Sequence, residues 1–322
     1  LTRNGKSDNW FLHVHLWDPH TPYRAPDSHF DLFEDLAMPS WLTEEVRQNH
    51  WEMCGPHSAQ ECNGFAPKPE MQKHFPRQPQ QIPDMAGVRM MFDGYDAGVR
   101  YADDYVGRLL NQLADLGIDD ETAIVLTSDH GETLGELNIY GDHQTADECT
   151  THIPMILKWP GVDGLAGKKM DAFHYQIDVS ATILEMLGGK VPESWDGVGF
   201  AESLDKGEDK GREHLVVSQG AWSCQRGIRF DDYMLIQTLH DGYHLFDDVM
   251  LFNIAEDPHE MNNLAESKVS IRDSGLEKLG AWHGEMMKEA ARGRDPLQNV
   301  IAEGGPFHVR GQLKEYLKRL RE

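Results

Sequence analysis

Two Asp-His pairs stand in the stretch VLTSDHGETLGELNIYGDHQTADE, residues 125–148. The first pair, Asp129 and His130, ends an apolar run and precedes Gly131, which places both side chains at the predicted end of a strand. One carboxylate oxygen and one imidazole nitrogen are suitable ligands for a divalent cation. A hard cation such as Ca2+ takes about six to eight ligands, so a metal site here needs further residues. The alternative is an aspartate that caps a helix beside a hydrogen-bonded histidine.

The second pair, Asp142 and His143, allows two interpretations. His143 contacts a substrate, or it is a loop histidine that bonds to Asp142 or Glu148. A third histidine, His20, follows the alternating run WFLHVHLW at residues 10–17, which predicts a strand because it is rich in β-forming residues. In α/β sheets, ligands bind beyond the carboxyl ends of the strands. We therefore expect Asp and His side chains from two strand ends to share one crevice.

The predicted elements that position these residues are a long helix and the strands on either side of it. Apolar residues recur at intervals of three and four toward the end of the segment Met85–Leu116, and Gly117 stands where a helix C-cap glycine is expected. The β-branched run TAIVLTS at residues 122–128 and the run IPMILKW at residues 153–159 predict buried strands. Strand, helix and strand in succession predict an α/β fold with a mostly parallel sheet flanked by helices.

The pattern changes after a predicted helix at residues 178–189. Short apolar runs follow, separated by Asp-Asp and Asp-Gly, and these are typical of hairpins. They predict a smaller C-terminal antiparallel sheet, with a helix at residues 275–293 and a terminal helix at residues 312–322. We expect residues 1–220 to belong to the α/β domain and residues 221–322 to form a smaller C-terminal subdomain.

Composition excludes some partners. The chain has 322 residues and a net charge of -24, whereas a nucleic-acid surface needs clustered Lys and Arg. No apolar run approaches the ~18 residues of a membrane span, and no signal peptide is visible. Cys54 and Cys62 flank a short loop and would pair in an oxidising compartment. Because position 1 is Leu, we expect this chain to be part of a longer protein.

Several motifs, taken in chain order, resemble those of the type I sulfatases of the alkaline phosphatase superfamily. They are FLHVHLWDPHTPY with its Pro-His-x-Pro loop, TSDHGETLGE, THIPMILKWPG, QIDVSATILEMLG and LFNIAEDPHEMNNLAE. Five motifs in the right order cover most of the chain, which makes the resemblance specific. It implies an alkaline phosphatase-like fold and a hydrolase that cleaves the sulfate ester of a small molecule or glycan.

The resemblance implies a role for each matching residue. Asp129 and His130 would hold the divalent cation, Ca2+ before Mn2+ or Mg2+, and Asp129 would also accept the proton of the nucleophile. Histidine in the second place is similar to the iduronate sulfatases and the phosphonate monoester hydrolases. His20 would contact the sulfate and protonate the leaving alcohol. The family usually has Lys nine residues before the position of His152, where this chain has His143. His143 would contact the sulfate with a charge that depends on pH.

Two residues near the start of the predicted antiparallel sheet, Trp222 and Arg226, are further candidates for substrate binding, and the nearby Arg229 is a weaker one. They line the substrate pocket, or they serve the structure of the sheet. The sequence leaves both interpretations open.

The family's nucleophile segment is not found in this sequence. Members carry an Asp-Asp pair and a Cys-x-Pro-Ser-Arg run near the N-terminus, and the Cys becomes formylglycine. CGPHS, at Cys54 to Ser58, lacks the Ser and Arg and follows the Pro-His-x-Pro loop rather than preceding it, so we interpret it as a loop insertion. The resemblance implies an N-terminal segment that supplies formylglycine and metal carboxylates. We expect residues 1–322 alone not to turn over sulfate esters.

Two other functions remain alternatives. One is a phosphonate or phosphate ester hydrolase of the same superfamily, because the Asp-His pair serves those members too. The other is a non-catalytic binding protein that keeps this fold. We expect a periplasmic or secreted location rather than a cytoplasmic one, and the oligomeric state is left open.

Overall fold

The computed structural model describes residues 1, 5, 9–64, 69–289, 293–312, 314 and 318. Its helices are α1 (Asp27–Phe30), α2 (Glu44–Glu52), α3 (Pro69–His74), α4 (Met85–Leu116), α5 (Glu148–Thr151), α6 (Gln176–Met186), α7 (Ala201–Lys206), α8 (Val269–Glu289) and α9 (Pro296–Ala302). Its strands are β1 (Ile124–Thr127), β2 (Thr133–Leu134), β3 (Tyr140–Asp142), β4 (Met155–Lys158), β5 (His214–Gln219), β6 (Cys224–Phe230), β7 (Tyr233–His240) and β8 (Val249–Asn253).

The predicted long helix is confirmed as α4. The Asp84 side chain accepts a hydrogen bond from the Gly87 N–H and caps its N-terminus. Gly117, with φ of 66°, ends the helix in the left-handed region that favours glycine. Val88 and Met91 on α4 are fully buried in a hydrophobic core that also contains residues of α1 and of the loops around α2.

Two glycines of α4 bring the loop that carries His20 against the helix. A Cβ atom at Gly98 would lie 2.8 Å from Pro19 Cα, and one at Gly94 would overlap the ring of Tyr23. Only glycine therefore allows this approach, and the loop on either side of His20 is fixed on the helix surface.

The predicted strands at residues 122–128 and 153–159 form β1 and β4, but they pair antiparallel to each other. The prediction of a strand at residues 10–17 is wrong in this structure, because this segment pairs with no described strand. Its Phe11 side chain is 89% exposed, and Ile156 on β4 is 63% exposed.

The α/β class is confirmed, whereas no parallel strand pair occurs among the described residues.

The predicted C-terminal antiparallel sheet is confirmed, with the strand order β5-β6-β7-β8. Helix α8 begins six residues before the predicted position and packs Leu279 on the buried face of the sheet, against Phe230 and Leu235. Because β5 precedes residue 220 and pairs with β6, the sheet starts before the expected boundary. The division into residues 1–220 and 221–322 stays a prediction.

The predicted terminal helix at residues 312–322 lies mostly outside the described residues. None of the described helices is both long enough and apolar enough to cross a bilayer.

Candidate active site

Three histidines from distant parts of the chain meet in one place. One ring nitrogen from each of His20, His130 and His143 lies within 4.8 Å of the other two. The rings of His130 and His143 stack with centroids 3.7 Å apart, and the His20 ring approaches both edge-on at 5.8 and 5.5 Å. All three are half-buried. The structure thus gathers the three sequence-predicted histidines into a cluster, which we call the histidine trio.

The loop that carries His20 contacts strand β3 as well as helix α4. His20 Nδ1 donates to the carbonyl oxygen of Thr21 at 2.6 Å. The Thr21 hydroxyl donates to the carbonyl oxygen of Gly141 on β3 at 3.3 Å, and a Cβ at Gly141 would crowd the Thr21 methyl group. This contact places His20 beside the end of β3, where His143 follows.

The first Asp-His pair follows β1, as predicted. Ser128 Oγ donates to the carbonyl oxygen of His130 at 2.6 Å, and His130 Nδ1 donates to the carbonyl oxygen of Gly131 at 2.8 Å. The Gly131 N–H donates to Thr150 on α5 at 2.8 Å, and a Cβ at Gly131 would overlap the carbonyl oxygen of Cys149. Glycine is therefore required here by the close approach of α5, and this approach fixes the chain that carries the pair.

The carboxylate of Asp129 is open to a ligand. Its side chain is 69% exposed, and one oxygen lies 3.9 Å from His130 Nε2. Partial burial by itself raises the pKa of Asp129, but the nearby His130 and backbone N–H groups lower it below its ordinary value. The Asp129 carboxylate and the His130 imidazole are suitable as two of the ligands of a divalent cation. Among the described residues Asp129 belongs to no group of three metal ligands, so a cation here needs ligands from elsewhere.

Asp142 connects the trio to a histidine that the sequence did not predict. His57 Nε2 lies 3.0 Å from Asp142 Oδ2, and the His143 N–H donates to Asp142 Oδ1 at 2.7 Å. Burial by itself raises the pKa of Asp142, but His57 and His143 lower it well below its ordinary value. Asp142 is thus a buried carboxylate that orients residues on two loops. His57 lies in the CGPHS loop, whose sequence drew attention only to its cysteine.

His143 sits in an environment that opposes a positive charge. Burial is the main cause that lowers the pKa of His143 to about 4; the carboxylate of Asp142 opposes this shift, and His130 and His20 add to it. The imidazole is therefore neutral at pH 7 in this structure. A lysine at this position would be a cation, whereas His143 is uncharged here.

Trp222 borders the site. Its loop is tied to the trio because Gln219 Nε2 donates to the carbonyl oxygen of His143 at 2.8 Å. The Trp222 ring meets His57 edge-on at 5.1 Å and stacks on His308 at 4.7 Å. The predicted role of Trp222 in substrate binding stays a prediction, and its contact with His57, which pairs with Asp142, is consistent with it.

The two predicted arginines are engaged elsewhere. Arg226 is buried and forms two hydrogen bonds to Asp295, at 2.8 and 3.0 Å. Arg229 pairs with Glu148 at 3.2 Å. These pairings favour the structural interpretation of both arginines. Cys54 and Cys62, which the sequence left as a conditional pair, form no disulfide in this structure, and neither do Cys149 and Cys224.

Two family models match the chain. The model described as Sulfatase matches residues 1–189, and the model described as N-sulphoglucosamine sulphohydrolase, C-terminal, matches residues 135–274. The first covers more than half of the sequence.

Curated relatives are similar over most of this chain. A multifunctional alkaline phosphatase superfamily protein from Trinickia caryophylli is 28% identical over 289 residues, which cover 82% of this chain and 52% of that protein. An ulvan-active sulfatase from Formosa agariphila is 26% identical over 81% of this chain and 50% of its own length. An N-acetylglucosamine-6-O-sulfatase from Bacteroides thetaiotaomicron is 31% identical over 53% of this chain and 31% of its own length. The chain spans about half the length of the first two.

Solved structures share the fold. One, of a protein in complex with its substrate D-glucosamine-2-N,6-O-disulfate, gives a TM-score of 0.66 at 21% identity, over 87% of this chain and 65% of that chain. The phosphonate monoester hydrolase of Agrobacterium radiobacter gives 0.65 at 20% identity, over 88% and 58%.

Proposed function

The chain belongs to the sulfatase family, and we propose that the full-length protein hydrolyses a sulfate ester on a carbohydrate. The observation that carries the proposal is the histidine trio beside the open carboxylate of Asp129. These are the residues that the family motifs assign to the sulfate and to its cation. They come from three segments that share no local sequence pattern, so their meeting supports a common role.

Each residue has a distinct part in this proposal. Because His20 Nδ1 donates to Thr21, His20 Nε2 is free to carry a proton to the leaving oxygen. Neutral His143 offers a hydrogen bond to the ester. Asp129 and His130 hold a divalent cation, Ca2+ in first place, and Asp129 takes a proton from the nucleophile. The bound cation would supply positive charge beside the sulfate oxygens.

An N-terminal segment of the same enzyme completes the site in this proposal. It supplies a formylglycine nucleophile and carboxylates for the cation, because the sequence lacks the Cys-x-Pro-Ser-Arg run and Asp129 belongs to no group of three metal ligands among the described residues. The exposed side chains of Phe11, Trp17 and Ile156 support it, since they offer an apolar surface on which another part of the sheet can pack. The greater length of the curated relatives also supports it.

The proposed substrate is a sulfated sugar. Two similar relatives are named an ulvan-active sulfatase and an N-acetylglucosamine-6-O-sulfatase. Trp222, whose ring contacts His57, supports a sugar substrate, because aromatic rings pack against the apolar faces of sugars. We also propose that the enzyme is periplasmic or secreted, with a cytoplasmic location as the alternative.

The test is release of inorganic sulfate by the full-length protein from a panel of monosulfated sugars, measured by ion chromatography. We expect release from at least one member, and loss of that release in Asp129→Ala. Hydrolysis of an aryl phosphonate with no sulfate release would support the alternative suggested by the multifunctional relative. Binding of a sulfated sugar without any hydrolysis would support a non-catalytic protein.

A further inference from the structure

We propose that His20, His130 and His143 also form a site for a borderline transition-metal ion such as Zn2+, which overlaps the cation site at Asp129 through the shared ligand His130. One ring nitrogen from each lies within 4.8 Å of the other two. Three imidazole nitrogens suit Zn2+, Ni2+ or Cu2+, whereas Ca2+ prefers oxygen ligands. The two sites share His130, so an ion held by all three histidines competes with the cation at Asp129 for that ligand.

Two of the three histidines have a hydrogen bond that leaves Nε2 available to a metal ion. His20 Nδ1 donates to the carbonyl oxygen of Thr21 at 2.6 Å, and His130 Nδ1 donates to that of Gly131 at 2.8 Å. A carbonyl oxygen only accepts, so each Nδ1 carries its proton and each neutral ring keeps a free lone pair on Nε2. Metal-ligating histidines commonly fix their second nitrogen in this way.

The third histidine has a carboxylate at its second nitrogen. His143 Nδ1 lies 3.5 Å from Asp142 Oδ1 and has no hydrogen-bond partner among the described residues. A small rotation of the ring brings it into hydrogen-bond distance. Asp142 is itself held by His57 at 3.0 Å. A carboxylate behind a ligating imidazole raises the basicity of the ligand and fixes its tautomer.

The trio must contract to form a tetrahedral site. Zn–N bonds of about 2.0–2.1 Å place the nitrogens about 3.3 Å apart. The nitrogens, which lie within 4.8 Å of one another, therefore close by up to about 1.5 Å on binding, and the stacked His130 and His143 rings rotate apart. Three protein ligands leave a fourth position for water or for an oxygen of a bound anion.

Equilibrium dialysis of the full-length protein against Zn2+ in excess Ca2+, followed by elemental analysis, tests the site. We expect one Zn2+ per chain in the wild type and at least about 10-fold weaker binding in His20→Gln and His143→Gln. His74→Gln changes an exposed histidine at the end of α3 and should bind as the wild type does. Asp129→Asn should keep the Zn2+, because all three nitrogens remain.

A Co2+ spectrum gives a second readout that needs no activity. Co2+ in the trio should show strong visible bands typical of four-coordinate ligation, and His143→Gln should lose them. If the wild type with Co2+ shows only weak bands, the ion has six-coordinate oxygen ligation and the proposal is overturned. This result needs only the wild type, so it does not depend on whether a variant folds. The proposal is also overturned if the wild type binds no Zn2+ at neutral pH, or if both trio variants bind it as the wild type does. Loss of Zn2+ in Asp129→Asn alone would place the ion in the other site.

Discussion

His57 Nε2 lies 3.0 Å from one carboxylate oxygen of Asp142, and the other oxygen accepts the backbone N–H of His143 at 2.7 Å. The carboxylate is buried, so it fixes the loop after β3 relative to the loop that carries His57. The position of His143 therefore depends, through Asp142, on His57, which no sequence motif identified.

His57→Gln should lower kcat for a sulfated substrate by about 10-fold, because loss of an orienting partner typically costs a factor of this order or more. Steady-state kinetics of the full-length protein measures it. His29→Gln is the matched control, since His29 also pairs with an aspartate, Asp104 at 3.1 Å, on the face between α1 and α4. Equal kcat in the wild type and His57→Gln would show that the pair does not orient the site.

His20→Ala should lower turnover of alkyl sulfates by about 10²–10⁴-fold, the usual cost of a lost general acid. Activated aryl sulfates need little protonation of the leaving group, so they should suffer much less. The comparison of kcat between the two ester types measures the difference. Equal losses on both would contradict the acid role and leave His20 as a binding residue.

Gly131→Ala should destabilise the protein and reduce its divalent-cation content, because the added Cβ overlaps the carbonyl oxygen of Cys149 and displaces the Asp129 segment. Thermal unfolding and elemental analysis measure both effects. Gly107→Ala is the control: nothing lies within 4 Å of its Cβ, and in helix α4 it should stabilise by about 0.5–1 kcal/mol. A stable Gly131→Ala protein with full metal content would contradict the packing described here.

Asp295→Asn should reduce the stability of the C-terminal sheet at neutral pH by about 3 kcal/mol, because it leaves buried Arg226 without its counter-charge. Hydrogen bonds from Arg226 lower the pKa of Asp295 to about 2, from an ordinary value of ~3.9. The stabilisation is therefore complete above pH 4 and is lost as the pH falls toward 2.

Urea unfolding of the wild type and of Asp295→Asn between pH 2 and pH 7 measures the effect. The difference between their free energies of unfolding should narrow below pH 4. Asp273→Asn is the control, because its pair with Arg272 is largely exposed and should contribute little. A difference that does not change with pH would mean that Asp295 contributes through packing alone.

The sequence predicted those structural features that depend on residues close to one another in the chain. Helix α4 and its Gly117 cap follow from periodicity and local backbone chemistry, and the hairpins follow from turn residues. The strand expected at residues 10–17 failed because a strand also needs a partner, and no described segment pairs with it. His57 was missed because its contact with Asp142 joins two loops that share no pattern.

The specificity for sulfate is tested most directly by kcat/KM of the full-length protein for an aryl sulfate and for the matching aryl phosphonate. We expect sulfate to be preferred, and Asp129→Ala to abolish turnover of both, since the carboxylate serves the cation and the nucleophile in either reaction. A preference for the phosphonate, or turnover of the sulfate that survives Asp129→Ala, would contradict the proposed function.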